Sequence, residues 1–293
     1  MFRRIRILPT NARKFNSTST RPPFNKDTIF KLTQPPYPEW KYGDGLQPDQ
    51  DRWRMEGEES RSTWDLATMP PKQVDVYPLL TSAIIPRPIA FVSSLSPDGE
   101  HNLAPFSYFS MVGHNPPLLA VSFTLSDRRP KDTRENILAT KEFTVSIISE
   151  PFVEAANSTS VESPAEVDEW VLSGLTMAAS VDVKPPFVRE SAISMECELH
   201  SSQDIGPPGS SQCTTTLILG YIKRVHVRRS VMHEDGKTID ARKLRPVSRL
   251  GGSTYGRVVE GFDLPRVGWK AVREQYGRLV LNKECFENTV NRD

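Results

Sequence analysis

Arg128, Lys131 and Thr133 stand together in a segment, Ser126-Asp127-Arg128-Arg129-Pro130-Lys131-Asp132-Thr133, that leads into a helix. A helix start leaves its first backbone N–H groups without partners inside the helix and carries the positive end of the helix dipole. Two cations and a hydroxyl at that place make an anion site of phosphate grade. Asp132, with Glu135 three residues on, reads as the N-cap of this helix rather than as a catalytic acid. Asn136, one turn in, either braces the loop or sits on an exposed face. Upstream, Ser93 and Ser94 close one strand, and Asn102, Ala104, Pro105 and Ser107 belong to the next. A proline within a strand marks an edge or an interruption, so backbone N–H groups beside Pro105 are free to meet a ligand. Arg87 and Arg249 are further cations that could approach the same anion.

Other chemistries find no support in the residues. Gly-x-Ser-x-Gly is absent, and His114 has no evident acid partner. Cys197, Cys213 and Cys285 are odd in number and lack CxxC spacing, which argues against a disulfide framework or a zinc site. Cys197 alternates with Ile193, Met195 and Leu199, the pattern of a core position. His226, between Val225 and Val227, reads equally as a satisfied strand residue, and no metal is predicted.

A flat strand pair with exposed backbone beside a phosphate site suits a flavin mononucleotide. Its phosphate needs cations and N–H donors, its ring a flat slot, and its polar edge mostly backbone partners. Four segments carry a resemblance: Arg87-Pro88-Ile89-Ala90, Asn102-Leu103-Ala104-Pro105-Phe106-Ser107-Tyr108-Phe109, Lys131-Asp132-Thr133 with Asn136-Ile137, and Pro246-Val247-Ser248-Arg249-Leu250-Gly251-Gly252-Ser253-Thr254-Tyr255. In this order and spacing they resemble the flavin-reductase-like FMN-binding split-barrel family, of the flavoredoxin type. The resemblance spans residues 71–255. It implies FMN as cofactor, NAD(P)H as electron donor, a homodimer, and a role for Asn102 and Ala104 in lining the flavin ring. It leaves open a non-catalytic FMN-binding or interaction protein on the same barrel, since hydride transfer to a flavin needs no protein acid or base.

These residues need a scaffold, and the hydrophobic pattern supplies a mainly β one. Strands are expected at 89–94, 118–123, 143–148, 176–183, 192–200 and 214–227, with helices at 133–141 and 152–156. Ser96-Pro97-Asp98-Gly99 is turn chemistry between the first strands. Ser163-Pro164-Ala165-Glu166 reads as a capping box for a helix that runs to Ser173 and stops at Gly174, with Glu166, Asp168 and Glu169 on a solvated face. Short β-branched strands separated by turns favour an antiparallel split β-barrel with a few short helices over a parallel sheet.

The barrel domain is placed at 71–257, between a long arm and an extension. Residues 1–26 hold Arg3, Arg4, Arg6, Arg13, Lys14, Arg21 and Lys26 and no Asp or Glu. That is the composition of a mitochondrial presequence or of a basic tail on a cytoplasmic protein. Residues 27–70 are rich in proline yet carry Tyr37, Trp40, Tyr42, Trp53 and Trp64. Disordered linkers are poor in aromatics, so this arm is expected to lie across the domain or its dimer partner, or over the site as a lid. Residues 258–293 form a C-terminal extension, with a helix expected at 269–276. The 37 basic and 36 acidic residues of the 293-residue chain nearly cancel, which argues against nucleic acid as a partner. No apolar run approaches the ~20 residues of a membrane span.

Overall fold

The computed structural model describes residues 21–47, 61–67, 76–125, 131–164 and 166–290. Residues 1–20 and Arg128 lie outside the described residues. The first strand, β1 (Lys31–Thr33), belongs to the arm, and helix α1 (Val76–Ala83) opens the barrel domain. Then come β2 (Ala90–Leu95), β3 (His101–Phe106), β4 (Phe109–His114), β5 (Pro117–Thr124), helix α2 (Asp132–Thr140) and β6 (Glu142–Ile147). Short helices α3 (Val153–Ser158) and α4 (Glu169–Ser173) and the small strands β7 (Met177–Ala178) and β8 (Phe187–Val188) lead to the long pair β9 (Ile193–Ile205) and β10 (Thr215–Val227). Helix α5 (Ala241–Leu244), strands β11 (Val247–Arg249), β12 (Tyr255–Arg257) and β13 (Glu260–Phe262), and helix α6 (Trp269–Val290) complete the chain.

The main sheet is antiparallel, in the order β3-β2-β6-β9-β10-β5-β4. It curls until β3 comes back against β5, while β3 and β4 remain edges without a ladder between them. This is the split barrel expected. Strand β4 was not foreseen: Ser110 and Gly113 break its apolar pattern, and Met111 and Val112 are exposed. The Pro97-Asp98 turn forms as expected, with Gly99 at φ 88° and its N–H donating to Ser96 O at 3.0 Å.

Alternation along the strands fills the barrel. Ala90, Val92, Val121, Phe123, Phe143, Val145, Cys197 and Ile218 form the inner core, and Ile137 closes one end from α2. Cys197 is therefore a core residue, and burial pushes its thiol pKa up. Close packing forces a glycine at 220, where an added Cβ would come within 2.5 Å of Phe143 Cζ and 3.1 Å of Leu119 Cδ1. A second cluster on the outer face of β2 and β3 joins Phe91, Leu103, Ile148, Phe152 and Trp170.

Three sequence expectations are corrected. Helix α4 begins at Glu169, with Asp168 as its N-cap accepting from Trp170 N at 2.8 Å. Asp168, three residues short of Val171, competes as a cap closer to the apolar run, and the box at Ser163 does not cap it. Its stop at Gly174, φ 66°, is as expected. Helix α2 is capped at Lys131, with no side-chain capping bond, so Asp132 is the first helical residue and not the cap. The expected strand 176–183 reduces to the β7–β8 pair, because residues 181–183 turn aside to donate backbone N–H groups to Glu196.

Described arm residues between Phe24 and Tyr42 pack on β12 and on the C-terminal extension. Strand β1 pairs in parallel with β13, and Phe30 lies on Gly261. Arg257 donates to Asn25 O and Thr28 Oγ1 and stacks on the Phe24 ring. Further on, Gln275 donates to Tyr42 O at 3.2 Å. Helix α6 is longer than the 269–276 expected.

Glu196 is wholly buried. Burial raises its pKa, but His226 Nε2 at 2.6 Å and the N–H groups of Val181, Asp182 and Val183 outweigh that, and the pKa ends below the usual carboxylate range. A depressed folded-state value stabilises the fold above the ordinary carboxylate pKa, and that contribution is lost as pH falls through the folded value. Glu196→Gln is therefore expected to lower unfolding free energy at pH 7 and to flatten its decline below pH ~4.5, as read by urea unfolding across pH. Gly220→Ala is expected to cost roughly 1–3 kcal/mol by overpacking, measured the same way.

Candidate functional site

Strand β3 is an edge, and its outward backbone groups must find partners off the sheet. Leu103 N–H points outward and donates to Glu169 Oε2 at 3.3 Å. In an antiparallel pair every second residue faces the same way. Pro105 therefore occupies the next outward position, where its missing N–H costs the ladder nothing. The C-terminal half of this edge borders a cleft of about 650 Å³. Asn102, Ala104, Pro105 and Phe106 form one wall, Lys131, Asp132 and Thr133 the second, and residues 159–163 with Glu169 the third.

A buried polar network supports the cleft. Thr133 Oγ1 donates to Asn102 Oδ1 at 2.5 Å, and Ser94 Oγ donates to the same oxygen at 3.4 Å. Asn136 Nδ2 donates to Ser94 Oγ at 3.1 Å, so Asn136 is a buried brace and not an exposed helix residue. Asn102 Nδ2 donates to Glu169 Oε2 at 3.2 Å, and Ser163 Oγ to Glu169 Oε1 at 2.9 Å. Glu169 is 5% exposed. It is thus no part of a solvated acidic face, as its sequence neighbours suggested, but a carboxylate tying α4 to the edge strand.

The structure brings together Asn102, Ala104, Pro105, Lys131, Asp132 and Thr133 at the cleft, with Ser94 and Asn136 in the network beneath. Four other expected residues stand elsewhere or lie outside view. Ser93 is buried, and in the register of β2 with β3 it shares the face of Phe91 and Leu103, across the strand from Ser94. Ser107 receives a 3.4 Å bond from Arg87 Nε. Arg87 otherwise holds Thr81 O, Ile84 O and Leu250 O, a staple between α1 and the end of β11. Arg249 lies 4.6 Å over the Tyr255 ring and donates to Gly252 O, outside the cleft lining. Arg128 is outside the described residues.

Sequence reasoning missed Phe106, the segment 159–163 and Glu169. Phe106 packs edge-on against Phe123 at 4.7 Å as well as facing the cleft, so its apolar character signalled only core. Glu169 gave one faint signal: a carboxylate next to Trp170 at the first turn of a short helix. None of the described arm residues lines the cleft, so the arm residues seen do not form a lid over it.

The cleft falls within the usual 300–1,000 Å³ range of small-molecule sites. It offers a helix N-terminus that has no side-chain cap and starts at Lys131, the outward edge of β3, and the ring of Phe106. These are the donors and surfaces that a flavin phosphate and ring require. Among the described residues no group of His, Cys, Asp and Glu could hold a metal ion, and no helix is long and apolar enough to cross a membrane.

Comparison with known proteins agrees with this architecture. The flavin reductase like domain family matches residues 82–244, and the chain belongs to that family. A Halalkalibacterium halodurans protein is 39% identical over 191 residues, covering 65% of this chain and 90% of that protein. Among solved structures, nitrilotriacetate monooxygenase component B from Bacillus cereus superposes with a TM-score of 0.66 at 36% identity, over 71% of this chain and 100% of that one. Flavoredoxin of Desulfovibrio vulgaris (Miyazaki F) superposes with a TM-score of 0.52 at 26% identity, over 63% of this chain and 92% of that one.

The network gives Thr133, a residue of the cleft wall, a structural role as well. Thr133→Val keeps the shape but leaves Asn102 Oδ1 with only the long bond from Ser94. Under-satisfying a buried acceptor is expected to cost about 1–3 kcal/mol of unfolding free energy, read by chemical denaturation.

Proposed function

We propose that this protein binds FMN in the cleft between the β3 edge and the start of α2, and passes electrons from NAD(P)H to free flavin or another small acceptor. The observation that carries the reading is the juxtaposition of an open strand edge with an uncapped, lysine-flanked helix N-terminus in one cleft. Membership of the flavin reductase like family supports it.

FMN, when bound, supplies a ring that accepts two electrons from a nicotinamide and gives them up again. The chain's own contribution is binding and orientation. Lys131 and the first N–H groups of α2 would hold the phosphate, with Arg128 as a second cation from the adjoining segment. Asn102, Ala104 and Pro105 would line the ring, with the outward carbonyls of β3 available to its polar edge. Thr133 keeps Asn102 in place through its hydroxyl. Asp132, next to Lys131, tempers the positive charge there. A nicotinamide needs only to stack on the exposed side of the ring at reacting distance, so no dinucleotide fold of its own is required.

Two further features of the proposal follow from surfaces and composition. Met111 is 72% exposed and Val112 52% exposed on the edge strand β4, and Tyr77 and Ile84 protrude from the α1 region. Such an apolar edge supports a homodimer, which light scattering of the pure protein tests. The acid-free basic composition of residues 1–26 supports mitochondrial import; the alternative is a cytoplasmic protein, and fractionation of cells expressing the tagged chain decides between them.

The decisive experiment is an absorbance spectrum of the protein with FMN, followed by anaerobic NADPH and then NADH. The expected outcome is a bound flavin band that one of them bleaches. A bound flavin that neither reduces would leave an FMN-binding protein without reductase activity. Lys131→Ala is expected to weaken FMN binding about tenfold or more, the loss of one charge-assisted contact of ~1.5–3 kcal/mol. Titration of FMN fluorescence measures it, and unchanged affinity would move the phosphate elsewhere.

A further inference from the structure

We propose that Glu169 is a positioning residue that sets the redox poise of the flavin site, by holding a fixed negative charge on its wall. This inference rests on the FMN reading above. Glu169 lines the same cleft as Asn102, Ala104 and Pro105, and its carboxylate is nearly sealed from solvent. Asn102 Nδ2, Leu103 N and Ser163 Oγ all donate to it. Donors face both of its oxygens, the surroundings that a carboxylate, an acceptor only, requires. Among the described residues it forms no ion pair with a Lys, Arg or His, in contrast to the other wholly buried glutamate, Glu196, which meets His226. Among the described residues the charge of Glu169 is thus held by neutral donors and not by a cation.

That placement has two effects on a ligand in the cleft. It repels a phosphate from the 159–169 wall and leaves the Lys131 end of α2 as the place for one. It also acts on the ring at the other end. Two electrons and one proton from a nicotinamide leave a flavin ring with one more negative charge than it had. A like charge in a site of low dielectric disfavours that state. Bound oxidised FMN is therefore favoured over bound reduced FMN, and the reduced flavin is a stronger donor to its acceptor. The same carboxylate fixes the ring contact: as an acceptor it takes the Asn102 amide N–H, so Oδ1 must face Thr133.

Glu169→Gln separates charge from geometry. Its amide oxygen can still accept from Asn102 and Leu103, while its charge is gone. The experiment measures FMN affinity by fluorescence, then the midpoint potential of the bound flavin by anaerobic reduction against a reference dye, in wild type and variant. The wild-type potential is expected to lie below that of free FMN. In Glu169→Gln, reduced FMN is expected to gain about tenfold in affinity relative to oxidised FMN, a rise of ~30 mV for a two-electron couple, with oxidised FMN still bound.

A variant that binds FMN at an unmoved potential would overturn the proposal, and so would one that only loses thermal stability. The wild-type comparison with free FMN needs no variant: a bound potential at or above the free value also overturns it. If wild type takes up no FMN, the flavin reading itself has failed, at a step before any potential is compared.

Discussion

The edge strand β3 is the constraint around which the site is built. A barrel that closed fully would pair this edge and bury its polar groups in a ladder. Here β3 returns against β5 without pairing to β4, so outward backbone groups must be satisfied by something other than a strand. Three answers occur along six residues. Leu103 N–H is taken by a carboxylate from α4, Pro105 has no N–H to satisfy, and the outward carbonyls are left to face the cleft. The opening in the barrel and the edge that borders the cleft are one feature.

Helix α2 completes the site because it starts where that edge passes. Its core contact is Ile137, and its buried polar face, Thr133 and Asn136, rests on Asn102 and Ser94. The same bonds that fix the helix against the sheet fix the strand residues that face the cleft. Thr133 is therefore bound into the packing of the helix on the sheet, whereas Lys131 stands exposed at the cap.

Much of this was legible in the chain and some was not, for physical reasons. The strands β2, β5, β6, β9 and β10 announced themselves by their apolar and alternating patterns, and the helix after Lys131 by Asp132 with Glu135 three residues on. Pro105 marked an edge correctly, because proline's missing donor has a local meaning. Glu169 could not be read the same way. Its role depends on α4 folding back onto β3 across more than sixty residues of chain, and a carboxylate looks alike in water and beneath a strand. Arg249, whose charge suited a phosphate, stands outside the cleft lining, where Tyr255 six residues on offers it a ring. The capping expectation at Asp132 failed because Asp is common both at the cap and in the first turn.

The pairing of β1 with β13 sets Thr33 beside Phe262, residues that lie 229 positions apart in the chain. Contacts that close so long a loop are costly in chain entropy and reward the chain little until the intervening barrel exists. The order of assembly follows: barrel first, then the two ends zipped to each other along a short parallel seam. A two-stranded seam is marginal in water, so the arm leans as well on Arg257 of β12, which holds Asn25 and Thr28 and stacks on the Phe24 ring.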